Sequence, residues 1–269
     1  MRLALFAAVF AFASVAYADT PAELVQVARG YSGRGQDAKA IPLLQEALKG
    51  DPKNAEAHYL LGLSYSRQEK LKDAEAELTQ ATSLDPHNYQ AFLLLGMTHD
   101  LRNDAAGALA VYEKAIAVDP KQPDAWHEAG SSALLLGKTD VAVKDLSQAY
   151  KLSAENPDVA ADYAYALVRA KQCTDAEKVV SPAVADDPRN PDLQATLGDA
   201  LACQGKREPA MAAYGKATGR DPKNAQAWFH LGLLQLEAGD KASAHAALEK
   251  ASALRPGDKE IAAALERAK

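Results

Sequence analysis

The stretch AEAHYLLGLSYSRQEKLKDAEAELTQATSLDP, residues Ala55 to Pro86, decides how the rest of the chain is read. It holds two helix-sized segments with small or apolar residues at fixed offsets. His58, Leu61, Gly62 and Tyr65 belong to the first segment; Ala74, Leu78 and Ala81 belong to the second, and Pro86 closes the unit. The closing proline acts as a ruler. Pro52, Pro86, Pro120, Pro188, Pro222 and Pro256 stand at multiples of 34 residues from one another. Position 154, where another is due, is Ala154, but Pro157 follows Pro123 by 34 and Pro191 follows Pro157 by 34, so the frame is unbroken. The chain therefore reads as seven units, 21–54, 55–88, 89–122, 123–156, 157–190, 191–224 and 225–258, with 259–269 left as a final helix.

Each offset has a physical reading. The eighth position holds Gly62, Gly96, Gly130, Gly198 and Gly232, with Ala28 and Ala164 in the other units. Glycine inside a helix costs about 1 kcal/mol relative to alanine, so its recurrence predicts a close approach of a second helix. The twentieth position is Ala40, Ala74, Ala108, Ala142, Ala176, Ala210 and Ala244; the twenty-seventh is Ala47, Ala81, Ala115, Ala149, Ala183, Ala217 and Ala251. These small residues are expected to meet the glycine across the pair. Asp-Pro at 51–52, 85–86, 119–120, 187–188 and 221–222 ends one helix and starts the next turn.

The pattern resembles the tetratricopeptide repeat. Trp126 with Gly130, Phe92 with Leu95 and Gly96, and Trp228 with Leu231 and Gly232 match the first half of its signature. Ala108, Tyr112, Ala115 and Pro120, and again Ala210, Tyr214, Ala217 and Pro222, match the second half. The first unit departs from it (Leu24, Val27, Ala28), as does the fifth (Tyr163, Ala164). The resemblance covers 21–258 and implies an all-α, right-handed superhelical solenoid of antiparallel helix pairs, its inner face lined by the first helix of each pair. The tail KEIAAALERAK fits a capping helix, with Ile261, Ala264, Leu265 and Ala268 on one stripe.

With family geometry, positions 2, 5, 9 and 12 of the first helices face a concave, protein-binding groove. Its expected lining is Glu56, Tyr59, Leu63, Gln90, Leu93, Met97, Asp124, His127, Asp158, Tyr165, Asp192, Asp199, Gln226, Phe229 and Leu233. Tyr59, Leu63, Leu93 and Met97 form one apolar patch and Phe229 with Leu233 a second, beside an acidic rim of Glu56, Asp124, Asp158, Asp192 and Asp199. Such a groove suits an extended or helical segment of another protein. Leu63, Leu93, Met97 and Leu233 read equally as packing between neighbouring helices. Some family members grip a C-terminal carboxylate with Lys, Asn and Arg on this face; the matching Val25, Arg29, Leu60, Gln90 and Leu94 lack that donor set.

Composition narrows the function. With 36 acidic against 30 basic residues and a formal charge of -6, no basic face offers itself to nucleic acid. Residues 1–18, MRLALFAAVFAFASVAYA, place Arg2 before an apolar run and end in Ala16-Tyr17-Ala18, an export signal expected to be cut before Asp19. The run is shorter than the roughly 20 residues that span a bilayer, so no stable anchor is expected. Cys173 and Cys203 are the only cysteines. In an oxidising compartment they read as a structural disulfide worth about 3 kcal/mol, the alternative being two separate thiols. No catalytic, metal or cofactor pattern stands out. His58, His87, His99, His127, His230 and His245 occupy scattered offsets, and His127 shows no sequence partner for a catalytic pair. The expectation is a non-enzymatic exported scaffold, periplasmic in a bacterium. A holder of unfolded envelope clients, and a scaffold that self-assembles through its first repeat, are the alternatives.

Overall fold

The computed structural model describes residues 20–153 and 156–269; the expected export segment and Ala154 lie outside them. Among the described residues the regular structure is all helical. Two compact units make up the chain, Met1–Val118 and Asp119–Lys269. The first carries α1 (Pro21–Ser32), α2 (Asp37–Gly50), α3 (Ala55–Arg67), α4 (Leu71–Leu84), α5 (Tyr89–Leu101) and α6 (Ala105–Val118). The second carries α7 (Pro123–Leu135), α8 (Thr139–Leu152), α9 (Pro157–Arg169), α10 (Cys173–Asp186), α11 (Pro191–Cys203) and α12 (Arg207–Arg220), followed by α13 (Ala225–Glu237), α14 (Lys241–Leu254) and α15 (Lys259–Arg267). Every first helix starts at the first position of its 34-residue frame and every second helix at the seventeenth.

Two turns set this register. Between the helices of a pair, the fifteenth residue is left-handed in every repeat: Gly35, Glu69, Asn103, Gly137, Lys171, Gly205 and Gly239 have φ between 58° and 83°. The next residue's N–H then reaches back five residues, as from Lys70 to the Tyr65 carbonyl at 3.0 Å, which satisfies a carbonyl at the helix end. Between pairs, the Asp of Asp-Pro accepts the N–H two residues on, as Asp51 does from Lys53 at 3.3 Å. An asparagine three residues after that Asp then caps the next helix: Asn54, Asn88 and Asn224 each accept from the third helical N–H.

The glycine column makes room for a large side chain in addition to the expected alanine, whose carbonyl oxygen (Ala74, Ala244) would lie 3.3 Å from a Cβ on Gly62 or Gly232. A Cβ on Gly62 would lie 2.6 Å from Leu78 Cγ, on Gly130 2.5 Å from Leu146 Cγ, and on Gly96 2.4 Å from the Tyr112 ring. The twenty-fourth residue thus lies over the eighth. Leu78, Leu146 and Leu248 are fully buried there, as are Tyr112 and Tyr214 almost completely. The alanine columns fill the rest of each pair. All fourteen members are fully buried except Ala183, which is partly exposed. Within each unit every second helix packs on the first helix of the next pair, and successive first helices touch. At the end of the second unit α15 packs on α14 and α13 with Ile261 (1% exposed) and Ala264 facing inward.

Candidate functional site

In the unit Met1–Val118, the expected groove residues divide between packing and exposure. Tyr59 packs against the core around Val25, Leu44 and Leu60, and burial pushes its hydroxyl pKa up. Glu56, in the first turn of α3, pairs with Arg29 of α1. Leu63 and Leu93 are half-buried and Gln90 is exposed. Met97 is 44% exposed and Leu101, one helical turn further along α5, is 61% exposed. Leu93, Met97 and Leu101 therefore form one i, i+4, i+8 stripe, and Leu101 is a member that the reading of four positions per helix passed over. A buried polar knot lies behind: Asp37 accepts from Ser64 Oγ at 2.9 Å and Ser32 Oγ at 3.3 Å, with Arg67 3.5 Å away.

In the unit Asp119–Lys269, three rim carboxylates, Asp124, Asp158 and Asp192, sit in the first turns of α7, α9 and α11, each directly after a helix-opening proline. Negative charge there is favoured by the helix dipole, so a local role already accounts for this part of the rim. Tyr165 is 38% exposed on α9, its hydroxyl accepting from Arg169 at 3.3 Å. Phe229 and Leu233 do not form a free apolar patch: both pack on the cluster of Leu248 and Ala264 with Leu265, beneath α15.

His127 gains a partner that no sequence spacing announced. Its Nε2 lies 2.8 Å from Asp162 Oδ2, on the neighbouring first helix, and that hydrogen bond raises its pKa against the opposing effect of burial. Ser131 Oγ donates to the same oxygen at 3.2 Å. The serine is bonded to the carboxylate and not to the imidazole, so the three do not form a nucleophile–base pair.

Asp199 is likewise engaged. Its Oδ1 accepts the Tyr214 hydroxyl at 2.5 Å and stands 2.8 Å from His230 Nδ1. His230 Nε2 lies 2.7 Å from Gln226, whose Oε1 accepts from Arg255 at 3.0 Å. Burial, then the Asp199 charge, drives the Tyr214 pKa far up, so the phenol stays a donor. This network borders a cavity of about 380 Å³ whose wall includes Lys171, Cys203 and Leu233. Cys203 is bonded to Cys173 with 5.6 Å between the Cα atoms, which ties the end of α11 to the start of α10 as the spacing suggested. Beside the bridge, Gln204 Nε2 donates to the Cys173 carbonyl at 3.1 Å and Lys206 pairs with Glu177 at 2.7 Å.

One further recurring contact escaped the sequence reading. The fourth residue of a repeat reaches back to the carbonyl of the preceding closing proline: Trp126 to Pro120 at 2.9 Å and Trp228 to Pro222 at 3.1 Å. Gln194 does the same to Pro188 at 3.0 Å, and His58 to Pro52 at 3.1 Å. The signal was there in the column itself, since Trp, His and Gln all carry an N–H of similar reach. Among the described residues no group of three or more His, Cys, Asp or Glu is placed to hold a metal ion. Nor is any described helix long and apolar enough to cross a membrane.

Profiles of known repeat families match residues 31–259 without a break. A tetratricopeptide repeat profile matches residues 59–125, 102–160 and 195–259, a second such profile matches 133–200, and a TPR repeat profile matches 31–69. No curated protein matches the chain. Among solved structures, a chain of the APC/C hetero-tetramer Cut9-Hcn1 is similar at 17% identity and a TM-score of 0.67 over 92% of this chain. This chain spans about half of that one, 48%. A tetratricopeptide repeat protein from Parabacteroides merdae ATCC 43184 aligns at 20% identity and a TM-score of 0.66, over 92% of this chain and 98% of its own. PilF of Pseudomonas aeruginosa aligns at 20% identity and a TM-score of 0.62, over 78% and 95%. At such identities the likeness is one of fold. The profiles cover more than half of the sequence, and the chain belongs to the tetratricopeptide repeat family.

Proposed function

We propose that this protein is a non-enzymatic interaction scaffold that holds an extended or helical segment of another protein against its first helices. One observation carries the reading. On α5, Met97 and Leu101 stay 44% and 61% exposed, while Phe92 and Leu95 of the same helix are buried. Exposed apolar residues in a stripe, unlike scattered ones, mark a contact surface. Tyr165 adds a similar anchor in the other unit. The similar Cut9-Hcn1 structure is a hetero-tetramer, an assembly role in keeping with this one. The setting proposed is an exported one, a bacterial periplasm, within an envelope-associated complex. Residues 1–18 and the Cys173–Cys203 bridge support it, because disulfides persist in oxidising compartments.

The test uses the purified chain as bait in a periplasmic extract, beside a Met97→Ser/Leu101→Ser variant that leaves the buried core intact. A small set of partners retained by the native chain and lost with the variant is the expected result. A broad range of unfolded clients would replace the scaffold by a chaperone-like holder. An absence of partners together with a multimeric mass in solution would replace it by self-assembly.

A further inference from the structure

The fourth position of the repeat is filled by a bulky or hydrogen-bonding side chain in most units, and the fifth unit breaks the rule. Trp126 and Trp228 each place a half-buried indole there and donate Nε1–H to a proline carbonyl. Over the Trp228 ring lies Lys250 Nζ, 4.0 Å from the centroid. Their counterparts 68 residues earlier are Ala160 and Pro182. Both substitutions remove volume from the same place, and a cavity of about 370 Å³ opens between them, walled by Tyr150, Val179 and Ala183 with Asp186 and Asp187 beside it. Ala183 is also the one member of the alanine columns that is not fully buried. All of these residues belong to the unit Asp119–Lys269.

We propose that this cavity is a docking pocket for an aromatic side chain, a tryptophan above all, carried by a partner protein next to a basic residue. The chain itself supplies the template, since an indole is what occupies the equivalent space two repeats later. The volume lies near the lower end of ligand pockets, enough for one ring system. Tyr150, whose ring centroid lies 5.7 Å from that of Tyr163, gives the pocket an aromatic wall. Charge selects the neighbour of that aromatic. Asp186 and Asp187 are exposed, and among the described residues neither is in an ion pair. The Asp187 carboxylate accepts the Arg189 N–H through Oδ1, at 3.1 Å, and so keeps its other oxygen for an incoming cation. The carbonyl equivalent to that of Pro222 belongs to residue 154, outside the described residues, so the proposal rests on the walls and the carboxylates. The pocket lies between α8 and the α9–α10 pair and shares no residue with the α5 stripe, so its test is independent of the bait experiment.

Methyl-detected NMR of the purified protein, titrated with N-acetyl-tryptophanamide, N-acetyl-leucinamide and the peptide acetyl-Lys-Trp-Lys-amide, decides the matter. Saturable shifts centred on Ala160, Val179 and Ala183 are expected with the tryptophan probe, with a dissociation constant on the order of 1 mM for so small a ligand. The leucine probe should bind at least about 3-fold more weakly. The basic peptide should bind about 5-fold tighter at low salt, an advantage lost in Asp186→Asn/Asp187→Asn. Ala160→Trp, which restores the missing indole, should abolish the shifts and raise the melting temperature. Ala160→Leu, a smaller filling, should also abolish them and serves if the larger side chain does not fit. Shifts absent from these methyls, equal binding of the leucine probe, or unchanged titration of a folded Ala160 variant would each overturn the proposal.

Discussion

Gly62 and Gly215 are both helical glycines, yet one substitution should act on them with opposite sign. A Cβ on Gly62 would meet Leu78 Cγ at 2.6 Å and the Ala74 carbonyl oxygen at 3.3 Å, and Leu78 is fully buried with nowhere to retreat. The helix propensity gained from Gly62→Ala, about 1 kcal/mol, is outweighed by overpacking of about 1–3 kcal/mol. A net loss of about 1 kcal/mol is expected. Around Gly215 on α12 nothing lies within 4 Å of an added Cβ, so Gly215→Ala should stabilise by about 0.5–1 kcal/mol. Urea denaturation of the two variants checks both signs, and equal effects would remove the packing role assigned to the glycine column. The left-handed fifteenth position allows a second test. Lys171 holds φ 63° where four other repeats use glycine. Lys171→Gly should therefore stabilise by up to about 1 kcal/mol, because a left-handed conformation costs a Cβ-bearing residue roughly 1–2 kcal/mol, offset in part by glycine's greater freedom when unfolded. A loss of stability would show that the Lys171 side chain contributes more than its backbone costs.

Between helices, stability depends on pairs that join one repeat to the next. His127 of α7 and Asp162 of α9 are such a pair, at 2.8 Å. The hydrogen bond that His127 makes to Asp162, with help from the charges of Asp162, Glu128 and Asp158, raises the His127 pKa in the folded protein although burial opposes it. A group whose folded pKa is raised contributes stability that is complete below its unfolded value, about 6.5. That contribution is lost as pH rises through the higher folded value. The native chain should therefore lose stability relative to His127→Gln across that window, from slightly acidic pH upward. NMR titration of the imidazole with denaturation at several pH values reads both quantities, and a pH-independent difference would sink the assignment. The same pair shows what a single sequence hides. Spacing within a helix is fixed by 3.6 residues per turn, so the glycine and alanine columns were legible; the Cys173–Cys203 bridge joins two different helices, and the repeat frame offered it beside the reading of two separate thiols. Which side chains meet across neighbouring first helices depends on their offset, and no period in the sequence states it. The rim carboxylates carry a second, local reading: Asp124, Asp158 and Asp192 are exposed, as expected of a rim, and each also stands in the first turn of its own helix, where the helix dipole favours it.

At the scale of the molecule, the prolines made the sevenfold frame readable because every repeat meets the same geometric demand at the same offset. Departures from the frame were less readable, since a missing side chain is visible in the sequence but the volume it leaves is not; Ala160 is the instance. Ends are the other departure. A repeat array has no central core, and each pair is held by what packs against it, so something must cover the outer side of the α13–α14 pair. In this chain α15 does so, burying Ile261 to 1% exposure and Ala264 to 3%, and packing with Leu265 over Phe229 and Leu233. Burial of one isoleucine contributes about 1.5–3 kcal/mol. Deleting residues 259–269 should then cost at least about 2 kcal/mol and expose Phe229, Leu233 and the Leu248 side of α14. Ile261→Asp, which keeps the full chain, should cause much of the same loss by placing a charge in that contact. Denaturation midpoints measure the cost. Binding of a hydrophobic dye, together with the mass in solution, reports the exposed surface and any association through it. If both variants kept the native midpoint and bound no more dye, α15 would be an appendage and the final pair would be stable without a cap.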